Sequence, residues 1–132
     1  MFRVSGEYLD IEVLVKAITL EPNRVWRKGE PRSESKPDSR VLSKSGASFI
    51  VSSADMDEFE IQLKEATDFI KNNIIQIQKI VGFNGVSEAV FDFGVELRDV
   101  AIHCDYLSPE FVRYAAEAGI GVELSHYPCV EE

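Results

Sequence analysis

A chain of 132 residues, 45% of them apolar and 28% charged, has the length of one ordinary domain, and a domain of this size buries roughly two thirds of the surface that its unfolded chain exposes. It can fold without a metal or a disulfide framework, and it contains no run of about 18 apolar residues that would span a bilayer. The formal charge of −9 is uneven, +2 over residues 1–54 and −11 over residues 55–132. An acidic body of this kind disfavours nonspecific binding to nucleic acid, where neutralisation of phosphates by a basic face supplies most of the affinity, and favours a basic protein partner.

The opening Met1-Phe2-Arg3-Val4-Ser5-Gly6 lacks the charged, apolar and small-residue regions of a signal peptide, so a cytoplasmic location is expected. Cys104 and Cys129 have neither CxxC spacing nor the density of a disulfide scaffold, and reduced thiols are the simpler expectation. One basic stretch interrupts the acidic pattern. Arg24, Arg27, Lys28, Arg32, Lys36, Arg40 and Lys44 face only Glu30, Glu34 and Asp38 across residues 24–44.

In chain order, Phe2 to Tyr8 reads as a first strand bent at Gly6. Asp10 is a helix cap, and Ile11, Leu14, Val15 and Ile18 follow the spacing of one helix face up to Pro22, which cannot be preceded by helical backbone without a clash. Arg24 to Lys28 reads as a second strand. Gly29 to Asp38, rich in Gly, Pro and Ser among alternating charges, predicts a solvated loop. Val41-Leu42 and Ala47 to Ser52 are strand-compatible, with Ser45-Gly46 as a bulge or turn between them.

Asp55-Met56-Asp57-Glu58 has the composition of a helix start. Met56, Phe59, Leu63, Ala66, Ile70, Ile74, Ile77 and Val81 keep the helical interval, with a break expected near Asn72-Asn73. From Ala89 to Leu97 the apolar Ala89, Phe91, Phe93, Val95 and Leu97 alternate with Val90, Asp92, Gly94 and Glu96, and Val100 to Leu107 resumes the alternation. The pair predicts a hairpin turning at Arg98-Asp99, with Leu97 opposite Val100 and Phe93 opposite Cys104. Ser108-Pro109-Glu110 opens a last helix that Gly119 closes, and Ile120, Val122 and Leu124 lead a final strand to Pro128. The expected order is β-α-β-β-α-β-β-α-β. It implies a single α+β domain over residues 1–132 with one mixed or mostly antiparallel sheet and helices packed on one face, as in split-βαβ folds.

The segment Ile18-Thr19-Leu20-Glu21-Pro22-Asn23-Arg24-Val25-Trp26-Arg27-Lys28-Gly29-Glu30 holds the single tryptophan and runs from a helix pattern through a proline into a basic turn. With Val4-Ser5-Gly6 before it and Gly121-Val122-Glu123-Leu124-Ser125-His126-Tyr127-Pro128 after it, the chain resembles the bacterial family known as domain of unknown function 4279. The resemblance runs from Val4 to Tyr127. It implies a fold and no activity.

Two groups of residues carry chemistry. On the second face of the expected hairpin, Glu96 would pair with Ala101, Gly94 with His103 and Asp92 with Asp105. That register gathers the carboxylates of Asp92, Glu96 and Asp105 about His103, a set able to hold a cation or exchange protons. Its bland counterpart is the polar face of a half-exposed sheet. Trp26-Arg27-Lys28 joins a flat aromatic to two cations, suited to a binding hot spot or to stacking, against an inward Trp26 that anchors its strand while the cations sit in water.

No nucleophile elbow, Walker loop, dinucleotide turn or paired Cys/His spacing is present, and neither a cofactor nor catalysis is implied. The leading expectation is a noncatalytic acidic protein-binding module, specifically an immunity-type or antitoxin-like inhibitor of a basic partner. One alternative is a small-ligand or metal-dependent enzyme using Asp92, Glu96, His103 and Asp105, with Arg27 and Lys28 holding an anionic group. Another is a structural homodimer joined through an open sheet edge.

Overall fold

The structure is a computed structural model that describes residues 1–33 and 36–128, with the backbone alone at residue 33 and residues 36–39. Ten elements follow the chain: β1 Phe2–Gly6, α1 Ile11–Ala17, β2 Arg24–Trp26, β3 Pro31–Ser33, β4 Lys36–Val41, β5 Ser45–Phe49, α2 Phe59–Val81, β6 Glu88–Glu96, α3 Pro109–Ala118 and β7 Gly121–Tyr127. The five-stranded sheet has the order β2-β5-β1-β6-β7, and β3 and β4 form a separate two-stranded ribbon. β1 is antiparallel to both β5 and β6, β2 is antiparallel to β5, and β6 and β7 run parallel. β5 and β6 therefore point the same way with β1 between them, joined by α2. That is the split βαβ arrangement, and β6-α3-β7 adds an adjacent βαβ unit. The domain is α+β with a mixed sheet, as the sequence predicts.

Alternation along the strands sets which face is covered. Phe2 and Val4 of β1, Ala47 and Phe49 of β5, and Phe91, Phe93 and Val95 of β6 are buried on one face. They pack in one cluster with Ile11 and Leu14 of α1, Leu63, Ala66, Ile70, Ile77 and Ile80 of α2, and Phe111, Ala115 and Ala118 of α3. Phe91 lies at the centre, edge-on to Phe2 at 5.3 Å and stacked near Phe111 at 6.3 Å between ring centroids. Each such ring, fully withdrawn from water, contributes on the order of 1.5–3 kcal/mol, and aromatic pairs add to this through their preferred geometries.

The helix ends follow local chemistry. The Asp10 carboxylate accepts the Val13 amide at 3.3 Å, and the Ser108 hydroxyl accepts the Phe111 amide at 3.2 Å with Pro109 beside it. Gly119 closes α3 in the left-handed region, φ 74°. The expected break in α2 falls at Asn73, φ −130° and ψ 21°, whose side-chain amide donates to the Phe69 carbonyl at 2.9 Å.

Four expectations about elements are corrected. First, no strand runs from Val100 to Leu107, and the hairpin through Arg98-Asp99 does not form. A strand has two edges. Those of β6 are taken by β1 and by β7, whose ladder runs on to Glu96↔Tyr127, while the Glu96 amide donates to the Met56 carbonyl at 3.0 Å. The alternation of Val100, Ile102 and Tyr106 instead leaves these side chains exposed.

Second, the segment read as a loop over Gly29 to Asp38 contains β3 and the start of β4, paired Pro31↔Val41 and Ser33↔Lys36 across an irregularity. Pairing gives the backbone groups of both stretches partners that a loop would leave to water. Third, α2 begins at Phe59: Asp55 to Glu58 form a turn in which the Glu58 amide donates to the Asp55 carbonyl and the Asp55 amide to the Glu58 carboxylate. Fourth, the chain leaves α1 at Ala17, before Pro22 is reached, with Ile18 extended. The element order accordingly differs from β-α-β-β-α-β-β-α-β in having β3 and β4 and in lacking the second strand of the hairpin.

Candidate functional site

The residues of the basic turn divide between two surroundings. Trp26 is half-buried, and its indole lies over Gly46, its ladder partner on β5. Arg24 stands over the same ring, 5.9 Å from its centroid. A shallow cavity of about 300 Å³ is bounded there by Arg3, Arg24, Trp26, Arg32, Leu42 and Ser48. Arg27 turns instead to Glu12 and Glu30, and the Glu12 carboxylate raises its pKa above the ordinary arginine value. Lys28 lies 3.6 Å from Glu7 and over the Tyr8 ring. Trp26 thus packs on β5 and under Arg24, outside the main core cluster, and both neighbouring cations lie beside carboxylates.

The four residues of the expected acidic centre also separate. Asp92 takes part in a network on the face away from the helices: it accepts from Arg3 at 3.3 Å and from the Ser125 hydroxyl at 2.6 Å, and Arg3 also reaches Glu123 at 3.0 Å. Glu96 ends β6 beside the Met56 segment. His103 and Asp105 do come together, with Nε2 3.0 Å from Oδ2. The register that would have placed Asp92 and Glu96 with them required the strand that β7 displaces.

His103 and Asp105 have other neighbours. Arg98 donates to Asp105 Oδ1 at 3.0 Å and its guanidinium also touches His103 Nε2. His126, near the end of β7, places its ring edge-to-face with His103, 5.7 Å between centroids. Ligand atoms of His103, Asp105 and His126 all lie within 4.8 Å of one another. A strand in phase with Val122 and Leu124 would make His126 a partly buried sheet histidine; in the structure it is exposed. It does lie on β7 with Val95 as its ladder partner, and this pairing carries it to the end of β6 where the next segment begins. Nothing local in the sequence specifies a parallel pairing across an intervening helix.

The same end of the sheet borders a concavity of about 830 Å³ between α2 and the segment 97–108. Seven carboxylates line it, those of Asp57, Glu58, Glu60, Asp68, Glu96, Asp105 and Glu110, against the cations of Lys64, Lys71 and Arg98. Ile61, Met56 and Tyr106 expose apolar surface on its rim. Lys71 pairs with Glu110 across α2 and α3, and this contact holds the Glu110 carboxyl below its ordinary pKa and raises that of Lys71. Gln62, buried on α2, donates to the carbonyls of Asp55 at 2.8 Å and Gly94 at 2.9 Å and fixes the floor of the groove to the sheet.

Cys104 is exposed beside the groove, in place of the core position that the hairpin would have given it. Cys129 lies outside the described residues. No helix among the described residues is long and apolar enough to cross a membrane. Set against protein-family models, curated proteins and solved structures, the chain finds no significant match in any of the three.

Proposed function

We propose that the protein is a noncatalytic binding module that takes a basic, partly apolar segment of another protein into the groove between α2 and residues 97–108. The observation that carries this reading is the composition of that groove, in which carboxylates outnumber cations by seven to three around exposed Ile61, Met56 and Tyr106. The carboxylates steer a basic partner and set its orientation, while the apolar side chains among them supply affinity that salt does not screen. Three of the carboxylates, Glu60, Asp68 and Glu110, stand on helices, so the charge is presented from rigid elements. An immunity-type or antitoxin-like inhibitor of a basic toxin is the specific form of this reading that charge and size suit. The resemblance to the domain of unknown function 4279 family is compatible with it and assigns no activity.

The test compares the wild-type chain with Glu60→Lys/Asp68→Lys as bait in lysate of the source cell, read by native mass spectrometry at low and moderate salt. Both positions are exposed, so the fold should survive, which circular dichroism checks. The reading predicts one stoichiometric basic protein held by the wild type, released as salt rises and lost from the variant. A partner held equally by both would place binding elsewhere and refute the groove.

A further inference from the structure

Residues 98–107 connect β6 to α3 without any hydrogen bond between backbone groups among the described residues. A connection of this length is well above the usual few residues between elements of a compact domain. What holds this one is side-chain contact among Arg98, His103 and Asp105, next to His126 of the following strand. The position in the fold is also specific. β6 and β7 are parallel, the segment leaves the carboxyl end of β6, and His126 is the penultimate residue of β7. In sheets with parallel βαβ units, ligands gather at the carboxyl ends of the strands, where the connecting loops meet.

We propose that His103, Asp105 and His126 form a binding site for a first-row divalent cation of the zinc class. Four arguments converge on it. The ligand atoms already lie within 4.8 Å of one another, so one ion could be shared by small side-chain rotations. The side chains of His103 and Asp105 are only 16% and 8% exposed, so they are held in place and partly dehydrated before any ion arrives. The donor set of two imidazoles and one carboxylate suits zinc, cobalt, nickel or iron(II), whereas calcium and magnesium prefer oxygen alone.

The fourth argument is the hydrogen bonding at His103 Nε2. Arg98 can only donate to this nitrogen, and the Asp105 carboxylate, 3.0 Å away, can only accept. A protonated Nε2 satisfies Asp105 and confronts Arg98. A bare Nε2 accepts from Arg98 and confronts Asp105. A cation resolves the conflict, since it takes a lone pair from each of the imidazole, the carboxylate and His126, and Arg98 is released to the solvent side. Bound there, the ion ties the segment 98–107 to β7. Because Asp105 also lines the groove, it sets the position of one groove wall. The site stands independently of the partner proposed above.

The experiment titrates the untagged full chain with Co²⁺, whose visible absorption reports nitrogen and oxygen ligation, and with Zn²⁺ by calorimetry. One ion per chain is expected. His103→Ala and His126→Ala should each weaken binding more than about tenfold, the least that removal of a mere supporting group costs. Arg98→Ala should leave it intact or tighten it, because a competing cation is removed. Cys104→Ser should not alter it. Circular dichroism confirms that each variant is folded. Failure of the wild type to bind either ion at millimolar concentration would overturn the proposal. So would binding that survives His126→Ala, or binding abolished by Cys104→Ser, which would put the ion on the exposed thiol. Neither result bears on retention of a basic partner, which is read in the absence of added metal.

Discussion

Replacing Gly46 by alanine tests whether Trp26 is a structural anchor. Gly46 stands in β5 between Trp26 of β2 and Ser5 of β1. A Cβ there would lie 2.4 Å from the Val4 carbonyl oxygen and 2.6 and 2.7 Å from two indole carbons of Trp26. All three separations are well inside contact distance. The indole can tilt away at the cost of its packing, but the Val4 carbonyl belongs to a residue whose neighbours on both sides, Ala47 and Ala89, are fixed by ladders. Overpacking typically costs about 1–3 kcal/mol, and a backbone obstacle puts this site at the upper end, near 3. The unfolded chain gives back roughly 0.5–1 kcal/mol, since alanine has less freedom to lose than glycine.

The net expectation for Gly46→Ala is a loss of about 2 kcal/mol, which for a domain of this size lowers Tm by roughly 8 °C. Urea unfolding followed by the fluorescence of the single tryptophan and by circular dichroism measures it, and the native emission should shift because the indole itself is displaced. In a Trp26→Ala background the penalty should fall by about 1 kcal/mol, the remainder belonging to the carbonyl. A Gly46→Ala protein as stable as the wild type, with unchanged emission, would refute the close approach and reopen Trp26 as an exposed binding residue.

Other perturbations address the groove and its supports. Gln62→Ala removes both hydrogen bonds that fix α2 to Asp55 and Gly94 and should cost about 1–2 kcal/mol, because the Gly94 carbonyl loses this donor while the Asp55 carbonyl keeps the Glu58 amide; Gln62→Glu, which cannot donate when ionised, should do no better. Ser108→Ala deletes the cap of α3 and should lower stability by about 1 kcal/mol in urea. Lys71 depresses the Glu110 pKa, so the folded state binds this proton less readily than the unfolded chain. That contribution is present above the ordinary carboxylate pKa near 4.5 and fades as pH falls through the depressed value. Stability of Glu110→Gln measured against pH should therefore fall less steeply than that of the wild type over this acid range, and parallel curves would contradict the pairing.

Much of the fold was legible because its signals are local. Ser108-Pro109 and Gly119 bound α3 through capping chemistry that needs only neighbours along the chain. The Asn73 break in α2 and the alternation of β6 are likewise written within a few residues. The candidate site was half legible. His103 and Asp105, two positions apart, were read as facing the same way and do meet. Asp92 and Glu96 were assigned to them through a cross-strand register, and register is a property of two strands together.

By itself, the sequence determined the α+β class, most helix and strand locations, the acidic bulk and the absence of familiar catalytic motifs, since these depend on side-chain periodicity, capping and composition. Only the tertiary structure decided which strand lies beside β6. An alternating segment such as Val100 to Leu107 is equally compatible with a strand and with an exposed connection, and the choice falls to whichever partner reaches the edge with more burial. Here α3 packs its Phe111 face against Phe91 and Phe93 and delivers β7 in parallel. That one competition moved His103 and Asp105 off the sheet, brought His126 to them and opened the acidic groove beside α2.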